Sequence, residues 1–223
     1  MMALSDYFPF WDALSVSQQE WLEQAAVRRT VAKGTLLHNG SEDCVGLLLV
    51  TEGQLRVFAR SDSGREITLY RLLDRDLCLL SASCILRGVD FDVAVEAERE
   101  TSFYQIPAPL YQQLMDQSAA VANYTSEIMA ARFSDVMWLM DQVLFKRLDS
   151  RLAAFLLEER ALEYTDRIVA THEEIARQLG SAREVVTRML RYFQSEGLVV
   201  LSRGAVSLSD VPGLERLARE SLR

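Results

Sequence analysis

Five polar residues that could contact nucleic acid lie close together near the C-terminus of the sequence: Arg183, Glu184, Thr187, Arg188 and Arg191. At helical spacing they share one face near the beginning of a helix. A guanidinium can donate two hydrogen bonds to O6 and N7 of guanine, and a carboxylate can accept one from the amino group of cytosine. We therefore predict that Arg183, Glu184 and Arg188 read base edges. Thr187 would touch a thymine methyl or a phosphate, and Arg191 the backbone.

A simpler interpretation of the same residues is structural. The stretch Ser181–Glu184 has the form of a capping box, so Glu184 could serve only to accept a hydrogen bond from the backbone N–H of Ser181. Arg183 and Arg188 could be solvated surface cations. Capping and base contact can share one side chain, so the two interpretations of Glu184 do not exclude each other.

The elements that would hold these residues form a helix-turn-helix. Thr171 and Glu174 form a capping box that begins a first helix. Ala176, Gly180 and Val186 follow at the spacing i, i+4 and i+10. Two helices that cross closely need a small residue at the crossing, a glycine in the turn and a β-branched residue facing back. Together the three positions are specific, although each is common alone.

A hairpin follows the second helix, which Gly197 ends. Two short apolar runs, 198–201 and 205–208, flank Ser202-Arg203-Gly204 and read as the strands of a wing. Arg203 would lie at the tip of this wing and is predicted to contact a phosphate.

The first half of the sequence has a different residue pattern. A helical lead-in over 7–26, with Ser17 as its cap, precedes a region of short β-rich runs that extends to about Pro107. Glycines separate the runs, and residues 61–64 read as a hairpin turn. Many short strands with regular turns are typical of an antiparallel roll or barrel.

Glycine and proline are absent from about Leu110 to Leu162, which favours helix. Within this stretch, apolar residues recur at intervals of three and four on more than one face. A long two-faced helix needs two partners, and we expect the second to be the same helix of another subunit. Burial in a monomeric core is the alternative. The predicted domains are residues 1–118, 119–147 and 148–223.

Composition narrows the class of protein. The net charge is −8, but residues 166–223 carry nine arginines against eight carboxylates, so this part is +1 and the rest −9. Three scattered cysteines and two histidines favour neither a disulfide framework nor a multi-ligand metal site. With no long apolar segment and no signal peptide, we expect a cytoplasmic protein with no membrane partner.

A β-roll, a long helix and a C-terminal winged helix-turn-helix, in this order, resemble the CRP/FNR family of bacterial transcription regulators. The residues THEEIARQLGSAREVVTRMLRYFQSEGL (171–198) carry the most specific part of the resemblance. It implies an α+β fold whose N-terminal antiparallel β-roll is a jelly roll like that of cyclic-nucleotide-binding domains. It also implies a homodimer on a pseudo-palindromic operator in duplex DNA, where it recruits or blocks RNA polymerase.

The sequence departs from the effector sites of this family. Ala82 and Ser83 lie roughly where cyclic-nucleotide binders carry a Gly-Glu pair, and no arginine follows in Phe91-Asp92-Val93. We therefore expect no cyclic AMP binding. An iron–sulfur centre is not expected because no cysteine precedes Cys44, and haem is not expected because no histidine lies near residues 78–84. The prediction is therefore that the protein uses no cofactor.

Cys78 and Cys84 lie where relatives bind their effector, so a thiol switch is one hypothesis for the signal. The alternative is that both are small core hydrophobes, because leucine and isoleucine surround them. Cys44, in a glycine-bounded loop, would be more exposed.

Three functions compete. The first is a dimeric transcription regulator switched by an effector or a thiol signal in the β-roll, and the second is a β-roll ligand-binding module that works through protein contacts. The third is a cupin-like enzyme, which would need clustered histidines and carboxylates, whereas His38 stands alone in its region. The outward arginines favour the first, and we expect no enzyme activity.

Overall fold

The computed structural model describes residues 3–40, 44–62, 64–85 and 93–219. The chain divides into two compact units. The β-roll unit comprises Met1–Arg60 and Leu69–Val136, and the helix-turn-helix unit comprises Ser61–Thr68 and Met137–Arg223. No helix within the described residues is long and apolar enough to cross a membrane.

Two four-stranded sheets form the β-roll unit. The first has the strand order β1-β8-β3-β6, from Val27–Val31, Thr101–Ile106, Leu47–Glu52 and Leu77–Cys78. The second has the order β2-β7-β4-β5, from Leu36–Asn39, Ala94–Ala97, Leu55–Arg60 and Glu66–Leu72. Neighbouring strands whose register is resolved pair antiparallel, as in Leu48 opposite Gln105 and Val57 opposite Val95.

Two apolar clusters fill this unit. One gathers inward-facing residues of both sheets, including Val50, Leu72 and Phe103. The other lies between the first sheet and the helices α1 (Val16–Ala25) and α2 (Ala108–Gln117), and it includes Leu22, Leu47 and Tyr111. Short 3₁₀ segments at Leu4–Tyr7, Trp11–Ala13 and Leu80–Ile85 complete the described part of the unit.

The long helix α3 spans Ala119–Phe145 and contributes residues to both units. The division of the chain into units therefore falls between Val136 and Met137, within α3, whereas the sequence analysis placed domain boundaries at the two ends of this helix. Ser61–Thr68, which includes the first three residues of β5, is also grouped with the helix-turn-helix unit.

The helix-turn-helix unit contains α4 (Leu148–Glu163), α5 (His172–Leu179), α6 (Arg183–Ser195) and α7 (Val211–Ala218). A three-stranded antiparallel sheet of order β10-β11-β9 joins Val199–Ser202, Ala205–Leu208 and Arg167–Ile168. Its core contains Leu156, Ile175, Val186, Phe193 and Val206.

The predicted fold class is confirmed: antiparallel sheets precede a long helix and a C-terminal helix-turn-helix. Several details differ from the sequence predictions. Ser15, not Ser17, caps α1, because Ser15 Oγ accepts the backbone N–H of Gln18 in a reciprocal capping box. The polar strand β1 and the two-residue strand β6 were not predicted, because neither has the alternation on which the prediction relied.

Substitution of Gly180 is expected to destabilise the helix-turn-helix unit more than substitution of Gly197. Both residues have positive φ, 62° and 74°, a conformation that costs an L-residue about 1–2 kcal/mol. A Cβ on Gly180 would lie 2.7 Å from Cδ1 of Ile67, whereas one on Gly197 meets nothing described within 4 Å. Overpacking should add about 1–3 kcal/mol for Gly180→Ala. Urea unfolding of Gly180→Ala and Gly197→Ala measures the difference, and equal losses would contradict this assignment.

Candidate nucleic-acid interface

Helix α5 is fixed at both ends. At its start, Glu174 N donates to Thr171 Oγ1 at 3.1 Å, and Thr171 N donates to Glu174 Oε2 at 2.7 Å. At its end, Gly180 adopts the left-handed conformation, and Arg151 of α4 donates to the carbonyl of Leu179 at 2.7 Å. The predicted capping box and glycine turn are both confirmed. They set where the chain leaves α5 and therefore where α6 begins.

Helix α6 begins one residue later than the sequence predicted. Its N-cap is Ala182, which makes no side-chain cap, so the expected second capping box between Ser181 and Glu184 is absent. That prediction was wrong because Ser181 still belongs to the turn, where its N–H donates to the carbonyl of Ala176. Glu184 is therefore not used as a cap.

Burial of one side of α6 determines which of its residues face outward. Val186, Leu190 and Phe193 are fully buried in the core of the unit. Because a helix repeats every 3.6 residues, the opposite side carries the polar residues predicted to contact DNA. An open groove on this side is lined by Arg183, Glu184, Thr187, Arg188 and Arg191.

The three residues predicted to read bases are available for contact. Arg183, Glu184 and Arg188 are exposed. Within the described residues, their side chains make no hydrogen bond or salt bridge. Solvated guanidiniums and a carboxylate on the outer side of a helix are suited to hydrogen-bond base edges or phosphates in a groove.

Thr187 differs from its neighbours on α6 because its side chain contacts a residue of α5. Its Oγ1 lies 2.9 Å from Nδ1 of His172, the first residue of α5. Burial lowers the pKa of His172, and the nearby cations Arg183 and Arg191 lower it further. The sequence analysis missed His172. Only the crossing of α5 and α6 brings together two residues fifteen positions apart, and no local pattern signals it.

The predicted wing is present. Strands β10 and β11 pair over Val199–Ser202 and Ala205–Leu208, and exposed Arg203 lies in the turn between them. Leu201 N donates to Oε1 of Gln194 at 2.9 Å, which attaches the wing to α6. Arg203 does not line the α6 groove and occupies a separate position on the wing.

The cysteines behave differently from one another. Cys78 is free and fully buried among apolar residues, and burial raises the pKa of its thiol. This environment disfavours a reactive thiolate, as expected of a small core hydrophobe. Cys44 is exposed and disulfide-bonded. The side chain of Cys84 lies outside the described residues, so its predicted sensor role stays a prediction.

Comparison with known proteins places the whole chain among regulators. Residues 150–217 match the Crp-like helix-turn-helix domain. A crystal structure assigned to a crp/fnr-family transcriptional regulator of Eubacterium rectale is 56% identical, with a TM-score of 0.94, and the match covers 96% of this chain and 99% of that one.

Two further relatives have different regulatory roles. The transcriptional activator protein anr of Pseudomonas aeruginosa is 26% identical over 89% of this chain and 83% of its own length. The cyclic AMP receptor protein of Thermus thermophilus is 26% identical over 77% of this chain and 79% of its own length. Equal likeness to both does not single out an effector.

Proposed function

The chain belongs to the CRP/FNR family of transcription regulators, and we propose that it acts as a homodimer that reads a pseudo-palindromic operator through the α6 groove. The observation that carries this proposal is the exposed trio Arg183, Glu184 and Arg188, which has no hydrogen bond or salt bridge within the described residues. Exposed cations and a carboxylate at the N-terminal end of the second helix face the base edges when that helix enters a major groove.

Within the interface the roles divide by chemistry. Arg183 and Arg188 can each fork onto O6 and N7 of guanine, and Glu184 can accept from cytosine N4. Thr187, Arg191 and Arg203 are assigned to the sugar–phosphate backbone, which positions the protein without specifying sequence. The alternative, a ligand-binding module that works through protein contacts, gives these side chains no role.

The dimer interface is assigned to one stripe of α3. Residues spaced alternately four and three positions apart along α3 form this stripe. All six are exposed: Ser126, Ala130, Phe133, Met137, Met140 and Leu144. This 4-3 spacing is the seam of a two-stranded coiled coil. Large exposed apolar side chains in such a row are costly in water, and a second copy of the helix would bury them.

The signal is assigned to the β-roll unit. An anionic effector would need a buried cation, but three little-exposed guanidiniums of the β-roll unit already lie 2.8–3.9 Å from carboxylates: Arg56 from Glu96, Arg71 from Glu98, and Arg132 from Asp76. This supports the proposal that cyclic AMP is not the effector. That haem and iron–sulfur centres are not used stays a prediction from the sequence.

A thiol signal through Cys44 fits the structure better than one through Cys78. Cys44 is exposed and disulfide-bonded, whereas Cys78 is free but inaccessible. Formation of such a bond removes two electrons and two protons from two thiols, and a peroxide that accepts them is reduced to water.

We further propose contact with RNA polymerase, because relatives of similar length are described as transcriptional activators.

Replacement of Arg188 tests the base-reading role. On operator DNA selected from random duplexes, Arg188→Ala should lose at least about fivefold in affinity at fixed salt, because a bidentate contact to guanine contributes about 1–3 kcal/mol. The matched control is Arg203→Ala, which should weaken selected and random DNA alike and reduce the salt dependence. Retention of full sequence preference by Arg188→Ala would exclude the proposed role.

Two adjacent exposed alanines test the dimer seam. Ala130 lies on the 4-3 stripe and Ala131 does not, so the same substitution should have opposite outcomes. Ala130→Glu should shift the protein towards monomer in sedimentation equilibrium, because two carboxylates would face each other across the seam. Ala131→Glu should remain dimeric. If Ala130→Glu is as dimeric as Ala131→Glu, the seam is misplaced.

Cys44 is expected to carry any thiol response. Operator affinity of the wild-type protein should differ at least fivefold between peroxide-treated and thiol-reduced samples, in the usual range of allosteric coupling. Cys44→Ser should abolish the difference, whereas Cys78→Ala, at the buried thiol, should keep it. A response that survives Cys44→Ser would reject this assignment.

A further inference from the structure

The contact between His172 and Thr187 connects the support helix to the centre of the proposed DNA-binding face. Thr187 lies one helical turn from Arg183 and one from Arg191, so the three residues form a row along α6. His172 reaches the middle of this row from the first position of α5, at 2.9 Å. It is half-buried beneath the row.

The cations near His172 act on its pKa in the same direction. Arg183 and Arg191 of α6 both disfavour its protonation, as does the positive end of the α5 dipole. On α5 itself, Glu173 is exposed, and Glu174 is engaged in the capping box with Thr171. From α4, Arg151 acts at the opposite end of α5, on the carbonyl of Leu179. The free protein therefore favours neutral His172.

The protonation state of His172 determines what Thr187 can offer to a ligand. When Nδ1 is unprotonated it accepts, so the hydroxyl hydrogen of Thr187 points inward and only lone pairs face outward. When Nδ1 carries a proton it donates to Oγ1, and the hydroxyl hydrogen is then available to a ligand. Neutral His172 reaches this state only in its Nδ1–H tautomer, whereas the imidazolium always has it. Phosphate oxygens accept hydrogen bonds and do not donate them.

We propose that His172 is a positioning residue that becomes protonated when DNA binds, so that Thr187 donates to a phosphate that Arg191 also contacts. This inference rests on the proposed function and deepens it, since it makes operator affinity depend on pH. No part of it requires His172 to touch the DNA.

The direction of the pH effect follows from linkage. A phosphate beside Arg191 offsets part of the positive field that lowers the pKa of His172, so the pKa should be higher in the complex than in the free protein. Between the two values, binding takes up protons, and affinity must rise as pH falls. One proton per subunit limits the effect to about tenfold per pH unit per subunit.

Few other side chains could account for a change in affinity between pH 5.5 and 7.5. The chain has two histidines, and the other, His38, is buried in the β-roll unit. Of the described cysteines, Cys44 is disulfide-bonded and does not titrate, and burial raises the pKa of the Cys78 thiol. A pH dependence between pH 5.5 and 7.5 can therefore be assigned by replacing single residues.

The experiment measures operator affinity from pH 5.5 to 7.5 at constant ionic strength. We expect the wild-type dissociation constant to fall at least threefold from pH 7.5 to 6.0. His172→Gln can keep the hydrogen bond to Thr187 without titrating, so its operator affinity should show no pH response. Thr187→Val should weaken the response, and His38→Gln should retain it.

A second readout does not depend on variants. The imidazole of His172, followed by NMR in the wild-type protein, should titrate at higher pH with operator than without. A pH-independent wild-type affinity, an unchanged titration on DNA addition, or a response that persists in His172→Gln would each overturn the inference. Failure of the wild-type protein to prefer any sequence at any pH would instead overturn the proposed function.

Discussion

The close crossing of α5 and α6 is the constraint on which the DNA-binding face depends. Gly180 makes it possible, because its left-handed conformation turns the chain within three residues and its missing Cβ leaves room for Ile67. Burial of Ala176 and Val186 at the crossing then fixes the rotation of α6 about its axis. Once that rotation is fixed, the outward position of Arg183, Glu184 and Arg188 follows from helical periodicity alone. The capping box at Thr171 and the Arg151 contact to Leu179 hold α5 in place, so they support the recognition face without belonging to it.

Sequence reasoning succeeded where structure is set by local chemistry. The α5 capping box, the glycine turn and the wing hairpin each depend on a few neighbouring residues, and each was predicted at its observed place. It failed where the outcome depends on tertiary geometry. Ser181 matched a capping pattern, but the turn extends through Ala182, so the cap was misassigned. Strand β1 is polar and pairs at an edge, which gives it no apolar alternation to detect. The contact of His172 with Thr187 exists only because two helices cross, and Cys44 could not be distinguished from Cys78 before burial was known.

The β-roll unit and the helix-turn-helix unit differ in how their cationic side chains are paired. In the β-roll unit, the described guanidiniums of Arg56, Arg71 and Arg132, which are largely shielded from solvent, lie within 4 Å of carboxylates. In the helix-turn-helix unit, cations are left outward and unmatched along α6, where a polyanion can neutralise them. The strong acidity of the first three quarters of the sequence is therefore compatible with DNA binding, because the field that acts on DNA is local to the exposed face. The exposed 4-3 stripe of α3 adds the remaining requirement, since a second copy would present two such faces at once.

The most direct test of this account is selection of binding sites from random duplex DNA by the purified full-length protein, followed by sequencing. If a homodimer reads DNA through α6, the selection should enrich a two-fold symmetric site, with G·C pairs in both half-sites and half-site centres about one helical turn, or roughly 10 base pairs, apart. Such a site would reflect one α6 groove from each subunit in successive major grooves. Absence of enrichment over random sequence, or enrichment of a single asymmetric element without a second half-site, would contradict the account.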